Sequence, residues 1–310
     1  MPSPPAAPFL SAFPITPLTG EEEEEEDAVD ASALRALVER LTGAGVASIG
    51  VLGSTGSYPY LPRAERRRAA EAAVAAAGGR AEVLVGIGAM TTREVVGLAA
   101  DALAAGADAG LLAPVSYQAL RDDEVFTLFA DVARAVPALP LVIYHNSQTT
   151  RFVFAPPLVR RLAAMPEVVA IKNPAPAGDA EGAHAAWADS AAGSALLLGY
   201  SGDARIVDAL LAGGAAWYSV IGGVFPRTCL AIVDAVRRGD AGEARRLHAA
   251  LAPLWALFDE LSSYRVAYAI ASILGLAAGA RPPRPVLPLD AAATARVAGV
   301  LQELGLDAGS

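Results

Sequence analysis

Lys172, in the stretch "VVAIKNPAP" (168–176), is the sole lysine of this 310-residue chain; the other 23 of its 24 lysine and arginine side chains are arginine. It follows Val168, Val169, Ala170 and Ile171, an apolar run of the kind that forms a buried strand, where solvated lysines are seldom found. An amine kept from water is pressed toward its neutral form, which attacks the carbonyl carbon of a ketone and gives an imine. The protonated imine draws electrons from the neighbouring carbon, so carbon–carbon cleavage, its reverse, or loss of water can follow. Such chemistry needs proton carriers. Tyr144, in "YHN" (144–146), and the hydroxyl pair Ser54 and Thr55, in "GSTGS" (53–57), are of the right type. Gly53 and Gly56 bracket that pair and offer backbone N–H groups to an anion. The stretch lacks the spacing and the Lys-Ser/Thr ending of a P-loop, so nucleotide binding drops out.

Other chemistries find little support. A carboxylate pair for glycoside hydrolysis is missing from the strand ends, and the three histidines, His145, His184 and His248, are scattered, so neither metal nor cofactor is expected. His145 follows Tyr144 on a strand and therefore points to the opposite face, which suits a structural role.

The elements that must position these groups are repeated βα units. Short apolar runs alternate with longer Ala/Leu/Arg segments of helical period. Eight strands are expected, at 9–16, 47–53, 82–88, 109–115, 139–145, 168–173, 195–200 and 216–222. Helices should begin near Asp30, Pro62, Thr91, Asp122, Ala155, Gly178, Gly202 and Phe225, several with Asp, Thr or Pro start signals. Eight such units match a (β/α)8 TIM barrel better than an open doubly wound sheet. Residues 240–261, 263–279 and 290–305 carry apolar stripes of helical period, interrupted by "GARPPRPVLPLD" (279–290), and form a C-terminal helical extension. The expected organisation is a flexible tail at 1–8, a catalytic barrel at 9–239 and a helical domain at 240–310. In a barrel of this kind the reacting groups lie at the carboxyl ends of the strands. Lys172, Tyr144 and the 53–57 loop all qualify.

Composition limits the setting. With 54% hydrophobic side chains the chain can bury a large core. The formal charge of −9 includes seven negatives from Glu21 to Glu26 and Asp27, which leaves −2 for the remainder and no basic footprint for nucleic acid. The acidic run reads as a solvated loop between the first strand and the first helix. Cys229 is the single cysteine, and no apolar stretch reaches membrane-spanning length, so a reducing, cytoplasmic setting is expected, without membrane attachment.

Taken in order, these motifs resemble the dihydrodipicolinate synthase/N-acetylneuraminate lyase family of class I, Schiff-base-forming lyases. The resemblance runs from "FPITPLT" near residue 13 to the C-terminal "LGL". Within it, "VLGSTGSYPYL" resembles the family's carboxylate-binding loop, "IYHN" its tyrosine strand end and "AIKNP" its Schiff-base strand, while "LGYSGDA" and "AWYSVIGG" match later strands. The resemblance implies an imine between Lys172 and a 2-oxo acid such as pyruvate. It implies that Tyr144 transfers protons, relayed through Thr55 and a tyrosine of a neighbouring subunit, with Tyr117 in "APVSYQ" the counterpart and Ser116 the alternative. It also implies a homotetramer built as two dimers.

Three positions depart from the family pattern. The loop glutamate is Ser57, the acid after the lysine is Asn173, and the arginine that synthases carry five residues after the tyrosine is Thr149, with Arg151 two residues further on. A hydroxyl cannot replace the fork of a guanidinium on a carboxylate, so dihydrodipicolinate synthase activity itself is disfavoured. Sugar-acid lyases and dehydratases stay open, with Gly53, Ser54, Thr55, Gly56, Tyr218 and Arg151 as the expected substrate-binding residues. The leading expectation is an aldolase or dehydratase acting on a 2-oxo acid such as pyruvate or a 2-oxo-3-deoxy sugar acid. The alternative is a catalytically silent barrel that binds a small carboxylate and serves as an oligomeric scaffold.

Overall fold

The computed structural model describes residues 8–19 and 28–310. The acidic run at 21–27 and residues 1–7 of the expected N-terminal tail lie outside the described residues. Ten strands are present among those described: β1 (Phe9–Ala12), β2 (Leu18–Thr19), β3 (Ala28–Val29), β4 (Ser48–Val51), β5 (Glu82–Gly86), β6 (Ala109–Leu112), β7 (Leu141–Tyr144), β8 (Val168–Pro174), β9 (Leu197–Ser201) and β10 (Ala216–Ser219). All but the small antiparallel pair β2 and β3 close into one parallel barrel in the order β1, β10, β9, β8, β7, β6, β5, β4. These eight are the strands anticipated from the sequence. Their legibility has a physical cause: each strand is buried both inside the barrel and under a helix, so it reads as a near-continuous apolar run.

Helices α1 (Ala31–Ala44), α2 (Arg63–Ala77), α3 (Thr92–Ala105), α4 (Asp122–Ala135), α5 (Ser147–Thr150), α6 (Pro156–Ala163), α7 (Ala180–Ser190), α8 (Ile206–Leu211) and α9 (Pro226–Arg237) connect or follow the barrel strands. Their starts are set by local chemistry. The Asp30 carboxylate accepts from the N–H groups of Ser32 and Ala33, and Thr91 with Glu94 forms a capping box. Pro156 and Pro226 open α6 and α9, where a missing N–H costs nothing. The helix expected near Gly202 begins as a tight turn, Asp203–Arg205, before α8.

Four more helices follow: α10 (Ala241–Ala249), α11 (Ala252–Leu261), α12 (Ser263–Ile273) and α13 (Ala291–Leu304). The helix expected over 240–261 is thus two. Pro253 has no N–H to donate and sits in the first turn of α11, so the chain breaks just before it. The helix expected to 279 stops at Ile273, shortly before Gly275, whose φ of 65° suits only a residue without a side-chain penalty. Tyr268, Ala267 and Ala271 of α12 pack with Ile15 and Leu37, which seats this helix against the barrel mouth. Among the described residues no helix is long and apolar enough to cross a membrane.

Candidate active site

Two strands supply the centre of the site. Tyr144 closes β7 and Lys172 stands near the end of β8, and the two are direct partners in the parallel register. Partners in register point to the same face, here the barrel interior. The residues one step on, His145 and Asn173, must then face away. They do so as a pair, with His145 Nδ1 3.1 Å from Asn173 Oδ1 and the imidazole edge-on to Phe154 and Trp187. The histidine is packed in an aromatic layer, and burial holds its pKa below the ordinary value, against the opposing hydrogen bond to the Asn173 amide oxygen.

The Lys172 side chain is 7% exposed, and its Nζ lies 4.4 Å from the centroid of the Tyr144 ring and 5.5 Å from that of Phe13. Its near neighbours are therefore π faces, which attract the ammonium without consuming its hydrogens in an ion pair. Space for these rings comes from two strand glycines. A Cβ on Gly50 would collide with the Phe13 ring, and one on Gly199 with the Tyr218 ring. Tyr218 stands edge-to-face with Phe13 and lines the same cavity as Lys172.

The Tyr144 hydroxyl is 2.9 Å from Ser54 Oγ and accepts from Asn146 Nδ2 at 3.2 Å. The family resemblance implied a relay through Thr55. Thr55 is buried and lines the cavity, but the hydroxyl within reach of the phenol belongs to its neighbour. Burial pushes the Tyr144 phenol up, yet the Lys172 ammonium and the hydrogen bonds from Ser54 and Asn146 outweigh it, and the net displacement is downward. A phenol that gives up its proton more readily than usual, beside an amine, is suited to shuttling protons.

The 53–57 loop is pinned from both sides. Ser57 Oγ lies 2.7 Å from the Tyr264 hydroxyl and 2.8 Å from that of Tyr268; Tyr268 donates onward to the Thr16 carbonyl, and the Thr16 hydroxyl donates to the Gly56 carbonyl at 2.8 Å. Ser57 itself holds a left-handed φ of 60°. The serine that stands where the family pattern has a glutamate thus ties the 53–57 loop to α12. Gly53 and Gly56 are buried in the loop. Below the site, the buried Asp203 carboxylate accepts from Trp217 Nε1 and from the Ile221 N–H, both at 2.8 Å, and fixes the turns after β9 and β10.

These groups open into a cavity of about 710 Å3. Its floor is Lys172, Tyr144, Phe13 and Tyr218; Asn146, Ser147 and Gln148 form one wall, and the end of α11 with the start of α12 forms the roof. A separate depression of about 590 Å3 beside Thr19, Asp30 and Arg35 contains neither lysine nor phenol. Four expected residues do not line the cavity: Gly53 and Gly56, which are buried, and Arg151 and Tyr117. Arg151 is exposed at the end of α5, held there by a left-handed φ of 58°, and Tyr117 is 84% exposed. Sequence reasoning passed over Arg205, Arg265 and Tyr264, which do line the cavity. Arg205 follows β9 and could have been found from the strand-end rule. Arg265 and Tyr264 had no such signal, because they arrive from the C-terminal helices. Among the described residues no group of three or more His, Cys, Asp and Glu is placed to hold a metal ion.

Comparison with known proteins gives the same picture. The chain is 50% identical to a structure titled as a dihydrodipicolinate synthase from Agrobacterium tumefaciens str. C58, with a TM-score of 0.90 over 96% of this chain and 97% of that one. It is 25% identical to the dihydrodipicolinate synthase from Aquifex aeolicus, with a TM-score of 0.87 over 97% and 98% of the two chains. Among curated proteins it is 35% identical over 235 residues to the 4-hydroxy-tetrahydrodipicolinate synthase of Alcanivorax borkumensis, covering 75% of this chain and 77% of that protein. The sequence profile described as the dihydrodipicolinate synthetase family matches residues 11–304, and with that span and these relatives the chain belongs to this family of class I lyases.

Proposed function

We propose that this protein is an aldolase or dehydratase that holds a 2-oxo acid as an imine on Lys172. The Lys172 amine attacks the oxo carbon, and water leaves as the protonated imine forms. Loss of a proton from the neighbouring carbon, or of an aldehyde fragment once its hydroxyl proton has been taken, leaves an electron pair that the protonated imine absorbs as an enamine; in the dehydratase case the enamine returns that pair to expel the next hydroxyl, which leaves as water. Tyr144 is placed to carry protons to and from the reacting atoms, with Ser54 as the next hydroxyl. The observation that carries this reading is the register pairing of Tyr144 with Lys172, which puts phenol and amine side by side at the barrel mouth. It argues against a silent scaffold, which has no use for a buried amine beside a phenol of lowered pKa.

The favoured substrates are 2-oxo-3-deoxy sugar acids rather than aspartate semialdehyde. Thr149 is exposed, its hydroxyl turned back onto the Asn146 carbonyl at 3.3 Å, and Arg151 stands outside the cavity, so no guanidinium grips a substrate from the α5 side. Tyr117 belongs to the reading as a residue lent to a neighbouring copy: an aromatic side chain 84% exposed beside a barrel mouth is suited to burial between subunits of a homotetramer.

Incubation with pyruvate and borohydride tests the proposal. The expected product is one irreversible mass increment, mapped to Lys172. The chain holds no other lysine, so the N-terminal amine is the one competitor and peptide mapping separates the two. A folded protein whose Lys172 stays unmodified with every 2-oxo acid tried would refute the imine mechanism.

A further inference from the structure

The lining of the cavity holds two arginines that imine formation does not use. Arg205, in the turn between β9 and α8, is exposed toward the cavity and makes neither a hydrogen bond nor an ion pair. Arg265, in the first turn of α12, spends its Nε on the Leu287 carbonyl at 3.1 Å, which braces the side chain and leaves both Nη groups uncommitted. Acidic groups on the same rim do not cancel them. The Glu260 carboxylate is engaged by both Nη atoms of Arg296 at 2.6 and 2.7 Å, and both Asp203 oxygens are taken up by Trp217 and Ile221. Asp259 alone remains as an unengaged carboxylate on this lining. Two uncommitted guanidiniums therefore face the cavity against one uncommitted carboxylate.

Size and lining define what could reach them. A cavity of about 710 Å3 falls in the range that holds drug-sized ligands, about 300–1,000 Å3, and far exceeds what a three-carbon oxo acid fills. The same lining carries the hydroxyl and amide side chains of Ser147, Gln148, Ser201, Ser262 and Ser263. These groups pair with hydroxyls along a chain, and guanidiniums pair with an anion at its end.

We propose that Arg205 and Arg265 form a second anion site, which grips a carboxylate or phosphate at the end of the substrate remote from its 2-oxo group. The substrate is then a polyhydroxylated 2-oxo acid charged at both ends. The inference rests on the reading that Lys172 holds the oxo end. It relocates the guanidinium that the α5 side lacks to the turn after β9 and the start of α12.

The test compares three 2-oxo-3-deoxy acids of one chain length, ending in a hydroxymethyl, a carboxylate or a phosphate group. Each is titrated against the full-length protein and its R205A, R265A and R205A/R265A variants, with folding checked by circular dichroism. Borohydride trapping at Lys172 and kcat/KM are the readouts. The expected result is a preference of about 10- to 100-fold for one doubly charged acid over the hydroxymethyl acid, the scale of a hydrogen bond to a charged group, and its collapse in the double variant. Whether carboxylate or phosphate wins identifies the terminal group. A preference that is absent, or that survives in R205A/R265A, overturns the proposal. Pyruvate run in parallel separates the two readings. Trapping of pyruvate without any end-group preference removes the anion site alone, whereas no trapping at all removes the imine mechanism on which it rests.

Discussion

The Nζ of Lys172 lies 4.4 Å from the centroid of the Tyr144 ring, because the two residues are partners in the register of β7 and β8. The ring and the hydroxyl of that tyrosine do different things: the ring faces the amine, and the hydroxyl reaches Ser54. Tyr144→Phe keeps the first and deletes the second. Folding and borohydride trapping on Lys172 should persist, while turnover falls by about 100-fold or more, the scale of losing a positioned acid–base group. A Phe variant with wild-type turnover would take Tyr144 out of proton transfer.

The same relationship fixes a titration order among the tyrosines. Burial pushes Tyr58, Tyr218 and Tyr268 upward, since their ionised forms lose solvation. Tyr144 is buried as well, but the positive Lys172 favours its phenolate, and the net displacement is down. In an ultraviolet difference titration of the folded protein, one tyrosine should ionise below the usual range near 10, and the step should vanish in Tyr144→Phe. Lys172→Ala removes the cation and leaves the burial, so the step should move to higher pH. Ser54→Ala should move it the same way by less. A step that ignores Lys172→Ala would mean that the amine does not act on the phenol.

Ser57 allows a stability prediction in which two effects separate. Its hydroxyl serves both Tyr264 and Tyr268, and its backbone sits at a φ of 60°. Ser57→Ala keeps the strained backbone and removes the Ser57 partner of Tyr264 and one of the two partners of Tyr268, which keeps its bond to the Thr16 carbonyl, so it should cost about 1 kcal/mol, the scale of a lost hydrogen bond. Ser57→Gly loses the same hydroxyl but relieves the left-handed residue, and should be less destabilised than Ser57→Ala by about 1 kcal/mol. Urea unfolding of the three proteins measures both. Equal midpoints for the alanine variant and the wild type would show that the hydroxyl bridge carries no weight.

What the sequence disclosed, and what it hid, follows from how far each feature is from its partners. Strand ends are local: Lys172 and Tyr144 each terminate an apolar run, so barrel, amine and phenol could be placed from one-dimensional pattern. The β2 and β3 pair has two residues per strand, too short for any period to register. The break between α10 and α11 hung on one proline within a long apolar stripe. The Ser57 bridge joins residues more than 200 positions apart, and nothing near Ser57 announces that two tyrosines of α12 will meet it. The choice of Ser54 over Thr55 is a matter of which way adjacent side chains turn in a loop, where no period applies. Arg265 was hidden for the same reason as the tyrosines, since the roof of the cavity is built by helices beyond the barrel.

The last prediction concerns the reaction that the names of the relatives would suggest. Condensation of pyruvate with aspartate semialdehyde requires a grip on the aldehyde's carboxylate, and in the synthases that the sequence resembles the grip is an arginine five residues after the tyrosine. Thr149 stands there, turned toward Asn146, and Arg151 caps α5 with its side chain outside the cavity. Arg205 and Arg265 do line the cavity, but they come from the α8 and α12 side and are proposed to hold the far end of a longer chain. A short aldehyde bonded to carbon at Lys172 would sit near the floor, so the protein should be a poor synthase and a better catalyst with 2-oxo-3-deoxy sugar acids. Coupled assays of the two reactions, run side by side, measure this. Arg151→Ala should leave whatever synthase activity exists little changed, because the residue lies outside the cavity. Efficient synthase activity that Arg151→Ala abolishes and Thr149→Arg restores would overturn the reading, and would mean that the α5 loop refolds around its substrate to bring Arg151 inward.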